Sequence, residues 1–258
     1  MLISIDGETV PPQEAKIDIV SDSVLFGIGV FETLRTFKNR KLFRLERHID
    51  RLLRSAATVS IPVRQSHAEI CDCTTALVAR SEAAIQRVKV VAFKSKLVVI
   101  STPLVPDRSI YDGVSLKSVT MRRTLPEIKA TSYLDCLLAH GAAREQGCYE
   151  ALLVDDAHYV YEGSRSNLFW VENRRLFTRM NRVLPGITRE TITEELSPNV
   201  QSGHIRLSHL QLTDEVFITN SIIGICPVLK IDGRTVGSGS VGNMTNDLKK
   251  RYDRLTGD

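Results

Sequence analysis

Two side chains between Leu125 and Phe169 are of types suited to covalent and acid–base chemistry, Lys129 and Glu162. Lys129 lies between Ile128 and Ala130, just after Pro126, where the pattern turns from extended to helical; Thr131 or Ser132 is expected to cap the helix that follows. Burial among such apolar neighbours disfavours the ammonium form, and a neutral amine is a nucleophile. By residue type alone, Lys129 is also read as a solvated surface lysine. Glu162 falls where a short strand breaks at Gly163, with Ser164, Ser166 and Asn167 following. Composition alone makes it a strand-end glutamate in a polar turn. A third feature concerns anions: Pro185, Gly186 and Thr188 open a helix whose first backbone N–H groups lack intrahelical acceptors.

These residues must be positioned by a mixture of strands and helices. MLISIDGETV reads as a hairpin turning at Asp6-Gly7, and GVFETLRTF as a strand rich in β-branched and aromatic residues. ERHIDRLLRSAATV has Ile49, Leu52, Leu53 and Ala56 at helical spacing, with Arg51 on it as a candidate solvent-facing cation. Residues 66–84 read as another helix, and VKVVAF and KLVVIST as strands joined by the short Lys94-Ser95-Lys96 turn. TPLVPDRS is a proline-spaced linker, and SLKSVTMRR is a strand leading to Lys129. YEALLVDD, YVYEG and SRSNLFWVEN form a meander of antiparallel strands. VFITNSIIGICPV is a strand that ends in polar Thr219-Asn220-Ser221. A hairpin at Asp232-Gly233 and an amphipathic closing helix follow. The expected division is a small N-terminal lobe over 1–105, a linker over 106–112 and a larger lobe over 113–258.

At 258 residues, 43% hydrophobic and 25% charged, the chain has the composition of an ordinary globular protein, and its net charge is only +4. The basic residues are scattered rather than gathered in an aromatic-interleaved stripe, so a nucleic-acid partner is not expected. No apolar run approaches the roughly 20 residues that span a bilayer, and no membrane partner or targeting segment is expected. Five cysteines include Cys71 and Cys73 but no second pair to complete a zinc site. No metal is expected, and the thiols suit a reducing cytoplasm.

Taken in order, Lys129 before a helix, GCYEALLVDD, EGSRSNLF and LPGITR resemble the class IV (fold type IV) pyridoxal-phosphate aminotransferases. That group includes branched-chain aminotransferases, D-amino-acid aminotransferases and aminodeoxychorismate lyases. The resemblance implies a two-lobed α+β fold with a smaller N-terminal α/β lobe and a larger lobe built on a β-barrel-like core. It implies pyridoxal 5'-phosphate as cofactor and Lys129 as the Schiff-base lysine that moves a proton between the substrate α-carbon and the cofactor. Glu162 would face the pyridine nitrogen. HIDRLLRSA matches the helix whose arginine, here Arg51, grips the cofactor phosphate, a task suited to a planar, always-charged fork. Gly186, Ile187 and Thr188 would hold the phosphate from the LPGITR turn, with Asn220 and Ser221 in the place of a Gly-Thr pair. Ser164 would sit beside the cofactor, Leu184 would pack on a ring face, and the Tyr133 hydroxyl would approach O3'. Val24 stands where many relatives place a substrate-binding tyrosine, leaving Arg35 and Arg165 as candidates for carboxylate recognition. The Lys94–Lys96 turn is too short for the loop that brings an arginine and a histidine to the substrate in D-amino-acid aminotransferases. The implied activity is amino transfer between an amino acid, or primary amine, and a 2-oxo acid by a homodimer. Pyruvate elimination as in the lyases is the alternative, followed by a cofactor-binding homologue without activity.

Overall fold

The structure, a computed structural model, describes all 258 residues. The chain forms two compact units, the first made of Met1–Val105, Ile128–Ser132 and Thr256–Asp258, the second of Pro106–Glu127 and Tyr133–Leu255.

In the first unit β1 (Leu2–Ile5) and β2 (Glu8–Val10) pair as a hairpin, with Asp6 at φ 52° and Gly7 at φ 95° supplying the left-handed turn. A short helix α1 (Asp22–Leu25) precedes β3 (Gly29–Arg35). Helices α2 (Leu45–Thr58) and α3 (His67–Ala79) follow, then β4 (Gln86–Phe93) and β5 (Leu97–Pro103), joined by the expected tight turn. The sheet runs β2-β1-β5-β4-β3, so β3 lies at its edge. Ile49, Leu52 and Ala56 on α2 pack with Leu34, Val88 and Val90 in a fully buried core. Helix α3 begins at a complete capping box, Ser66 with Glu69, but ends five residues short of the expected 84. Its Val78 carbonyl accepts from the Gln86 side chain, so a tertiary bond closes the last turn where the chain must return toward β4.

In the second unit β6 (Val114–Thr120) ends before the Met121–Arg123 segment that the pattern assigned to it. Helix α4 (Leu134–Glu145), β7 (Glu150–Val154), β8 (Val160–Gly163), β9 (Asn167–Glu172) and β10 (Arg175–Thr178) come next. Helix α5 (Ile187–Thr191) continues into a π-turn, and β11 (Gln201–Ser202) and α6 (Leu207–Leu210) lead to β12 (Glu215–Asn220). The hairpin β13 (Gly224–Ile231) and β14 (Arg234–Thr235) and the closing helix α7 (Asn243–Thr256) complete the chain. The mixed sheet, ordered β11-β10-β9-β12-β13-β6-β7-β8, curls into a half-barrel. β7 and β8 pair antiparallel as expected, but β9 pairs with β10 and β12 rather than continuing the meander, because residues 164–166 turn it away from β8. Every residue of β7 is buried, as suits a strand covered on both faces: Ala151 and Leu153 pack under Ala139 and Ala143 of α4.

Candidate active site

Each unit gathers its own set of functional side chains. In the first, residues 128–132 are extended and lie along the free edge of β3: Phe31 N donates to Lys129 O and Thr131 N to Gly29 O, both at 2.8 Å. Lys129 is therefore placed by strand pairing and not by a helix entrance. Neither Thr131 nor Ser132 caps α4, whose N-cap is Tyr133; Thr131 Oγ1 instead donates to Gly27 O. The half-buried Lys129 amine stands 4.8 Å from the centroid of the Phe31 ring. Next to Phe31, the fully buried Glu32 takes Arg51 Nε at 2.7 Å and Nη2 at 2.6 Å on its two oxygens, and His48 Nδ1 at 2.7 Å. Burial alone would raise the Glu32 pKa, but the Arg51 charge and the His48 hydrogen bond override it and bring it to about 2. His48 is pushed down by burial, against the pull of Glu32. Arg51, expected to face solvent on pattern alone, is 3% exposed and fixed by this carboxylate.

Arg35 is also buried, ion-paired at 2.5 Å with Asp258 and lying 4.2 Å from the Phe37 ring, so its charge is answered within the fold. Val24 is exposed on α1, next to Leu25 and Phe26, which are exposed too.

In the second unit Glu162, on β8, is 4% exposed, and both of its carboxylate oxygens accept hydrogen bonds. Oε1 takes Arg123 Nη1 at 3.0 Å, and Oε2 takes Leu184 N at 2.9 Å and Asn167 Nδ2 at 3.2 Å. Burial raises its pKa, with the Arg123 charge opposing. A second buried acid, Glu150 at the start of β7, supports the loop behind it by accepting from Arg165 N at 2.5 Å and Ser166 Oγ at 3.0 Å. Buried Ser164 lies at the edge of the same bond network, and its carbonyl accepts from the Tyr133 hydroxyl. The Arg165 side chain is exposed and meets the His140 ring.

Gly186 is the N-cap of α5, and an added Cβ there would fall 2.0 Å from Asn167 Oδ1, so the site demands glycine. Ile187 and Thr188 occupy the buried first turn of α5, which packs against β12. At the end of β12, Thr219 Oγ1 is buried with no partner, and Asn220 Oδ1 folds back onto the N–H groups of Ile222 and Ile223. Ser221 is half-buried just beyond. Pattern reading missed Glu32, His48, Arg123, Glu150 and Thr219. Several of them lay inside segments the pattern singled out, Glu32 in GVFETLRTF, His48 in HIDRLLRSA, Glu150 in GCYEALLVDD and Thr219 at the polar end of its strand, but nothing local gave them a partner.

These residues fit a phosphorylated, nitrogen-containing ring cofactor. The orphan Thr219 hydroxyl and the open first-turn N–H groups of α5 suit a phosphate, and buried Glu162 suits a protonated ring nitrogen. A half-barrel carrying such a set defines a class of cofactor enzyme. Residues 29–231 match the family model for amino-transferase class IV, and the chain belongs to that family. It is an enzyme that uses pyridoxal 5'-phosphate to move an amino group between an amino acid and a 2-oxo acid. It is 30% identical to a putative branched-chain-amino-acid aminotransferase of Methanocaldococcus jannaschii, over 98% of this chain and 95% of that one. The solved branched-chain amino acid aminotransferase of Escherichia coli superposes with a TM-score of 0.91 at 27% identity, covering 99% of this chain and 94% of that one. The branched-chain aminotransferase of Thermoproteus uzoniensis with norvaline also gives 0.91, at 28% identity and with the same coverage.

Proposed function

We propose that the amino donor is an L-amino acid with an apolar side chain of the branched-chain type, that Lys129 is the amine joined to the cofactor, and that Glu162 faces the cofactor's ring nitrogen. The donor class is supported by the names of the relatives and by norvaline in one of them. Glu162 carries the assignment of the site: a buried carboxylate held by Arg123, Asn167 and Leu184 N is fixed in place and favours a proton on whatever nitrogen it meets. When bound, pyridoxal 5'-phosphate supplies a ring that takes up the electron pair released at the substrate α-carbon. Lys129 Nζ, set free once the substrate amine takes its place on the cofactor, would accept the proton from that carbon and return it at the neighbouring position. Glu162 holds the proton on the ring nitrogen. Arg51, the first-turn N–H groups of Ile187 and Thr188, and the end of β12 hold the phosphate, with Glu32 fixing the Arg51 fork.

No helix is long and apolar enough to cross a membrane. A homodimer in the cytoplasm is part of the proposal. Leu134, Leu137 and Leu138 form an i, i+3, i+4 stripe on α4 that is 65%, 55% and 63% exposed, an apolar face suited to a second copy. The five free cysteines suit a reducing compartment.

The test is amino transfer from L-leucine, L-valine or D-alanine to a 2-oxo acid, together with the visible absorption of the holoenzyme. Lys129→Ala is expected to fold yet lose transfer by at least about 10³-fold, and Glu162→Gln to keep the cofactor but lose about 10²-fold, in the range of general acid–base effects. Wild-type rates in Lys129→Ala, or a response to D-alanine alone, would refute the proposal.

A further inference from the structure

Beside Glu162 the second unit contains a cavity of about 180 Å³, lined by Arg122, Arg123, Arg182, Met121, Tyr161 and Glu162 among others. A single water needs only roughly 10–15 Å³, so the space admits a ligand of several heavy atoms. Three guanidinium groups border it against one carboxylate, and that carboxylate is already paired with Arg123. Arg122 lies 5.3 Å from the centroid of the Tyr161 ring, and Arg179 lies over the same ring at 3.6 Å. A further acid, Asp155, accepts from the N–H groups of Ala157 and Tyr159 and from the Tyr161 hydroxyl, and it also feels the charges of Arg122 and Arg179. Arg122 and Arg182 form no ion pair, and Arg182 stands close enough to Arg179 for the like charges to oppose each other. Four arginines, Arg122, Arg123, Arg179 and Arg182, thus face two acids, Glu162 and Asp155, and an excess of arginine forks around a concave space is the arrangement that recognises phosphate and carboxylate groups. The cavity is distinct from the phosphate cradle, for none of Ser164, Leu184, Gly186, Ile187 or Thr188 lines it.

We propose that this cavity is an oxyanion-binding site for a small phosphate or carboxylate, electrostatically coupled to Glu162 through Arg123. Arg123 Nη1 already bridges Pro126 O and Glu162 Oε1. An anion seated against the same guanidinium adds negative charge beside Glu162 and strengthens the hold on a proton there. Binding stands on the arginines alone; the coupling rests on Glu162 facing the ring nitrogen.

The experiment uses the holoenzyme, in which the cofactor occupies its own phosphate cradle. Calorimetric titration with inorganic phosphate and, separately, with succinate at constant ionic strength reads binding, and the tighter of the two identifies the ligand type. The expected result is saturable binding of one anion per chain, weakened at least tenfold in the Arg122→Gln/Arg182→Gln double variant and largely kept in Arg182→Lys. Basal activity in anion-free buffer should be unchanged in both. Absence of saturable binding, equal binding by the double variant, or displacement of the cofactor by the anion overturns the site. The pH titration of the cofactor's absorption reads the coupling separately: the saturating anion should move its midpoint upward in wild type and not in the double variant. Binding without that movement overturns the coupling and leaves the site. A midpoint that Glu162→Gln leaves unmoved in anion-free buffer would show instead that the Glu162 assignment itself has failed.

Discussion

Replacing Glu32 by alanine leaves Arg51 as a buried cation without its carboxylate and takes the partner from His48 Nδ1. The size of the effect follows from the protonation of Glu32. A carboxyl held near about 2 instead of its ordinary 4.5 represents roughly 3 kcal/mol of stability. Breaking a buried pair by removing one member costs about 3–5 kcal/mol, which agrees. The sign follows as well. Because the folded-state pKa is lowered, this stability is present in full above about pH 4.5 and is lost as pH falls toward about 2. Urea denaturation followed by circular dichroism at pH 7 and at pH 3 measures both. Glu32→Ala should unfold the first unit at clearly lower urea at pH 7, with the gap to wild type narrowing at pH 3. Glu32→Gln, which keeps the shape and loses the charge, should fall between. A Glu32→Ala midpoint equal to wild type at pH 7, or a gap just as wide at pH 3, would refute the role given to this pair.

Gly186→Ala places a methyl group 2.0 Å from Asn167 Oδ1 and so disturbs the amide that holds Glu162. Destabilisation of about 1–3 kcal/mol and a weaker cofactor affinity are expected, the second read by titrating apoenzyme with pyridoxal 5'-phosphate. Leu138→Asp puts a charge in the exposed leucine stripe of α4 and should convert the proposed dimer to monomer in sedimentation velocity while leaving the fold intact by circular dichroism.

Local rules were sufficient for much of the chain. The Asp6-Gly7 turn and the β13/β14 hairpin at Asp232-Gly233 announce themselves because left-handed backbone is inexpensive only for a few residue types. The apolar spacing of Ile49, Leu52 and Ala56 marks the buried face of α2 because the helical period is local. The order of four motifs, Lys129 ahead of a helix, GCYEALLVDD, EGSRSNLF and LPGITR, was enough to suggest the family and to single out Lys129 and Glu162. What the tertiary structure decided is who meets whom. The segment after Pro126 resembles a helix entrance, yet Lys129 lies extended because the open edge of β3, far earlier in the chain, offers its backbone bonds. Arg51 reads as a solvated helix cation, and only the packing of α2 on β3 delivers it to Glu32, 19 residues away. Arg123 reaches Glu162 across 39 residues. Turn chemistry and periodicity are encoded within a few neighbouring residues. The partner of a buried charge is chosen by how distant strands and helices pack, and a pattern confined to neighbours carries no record of that choice.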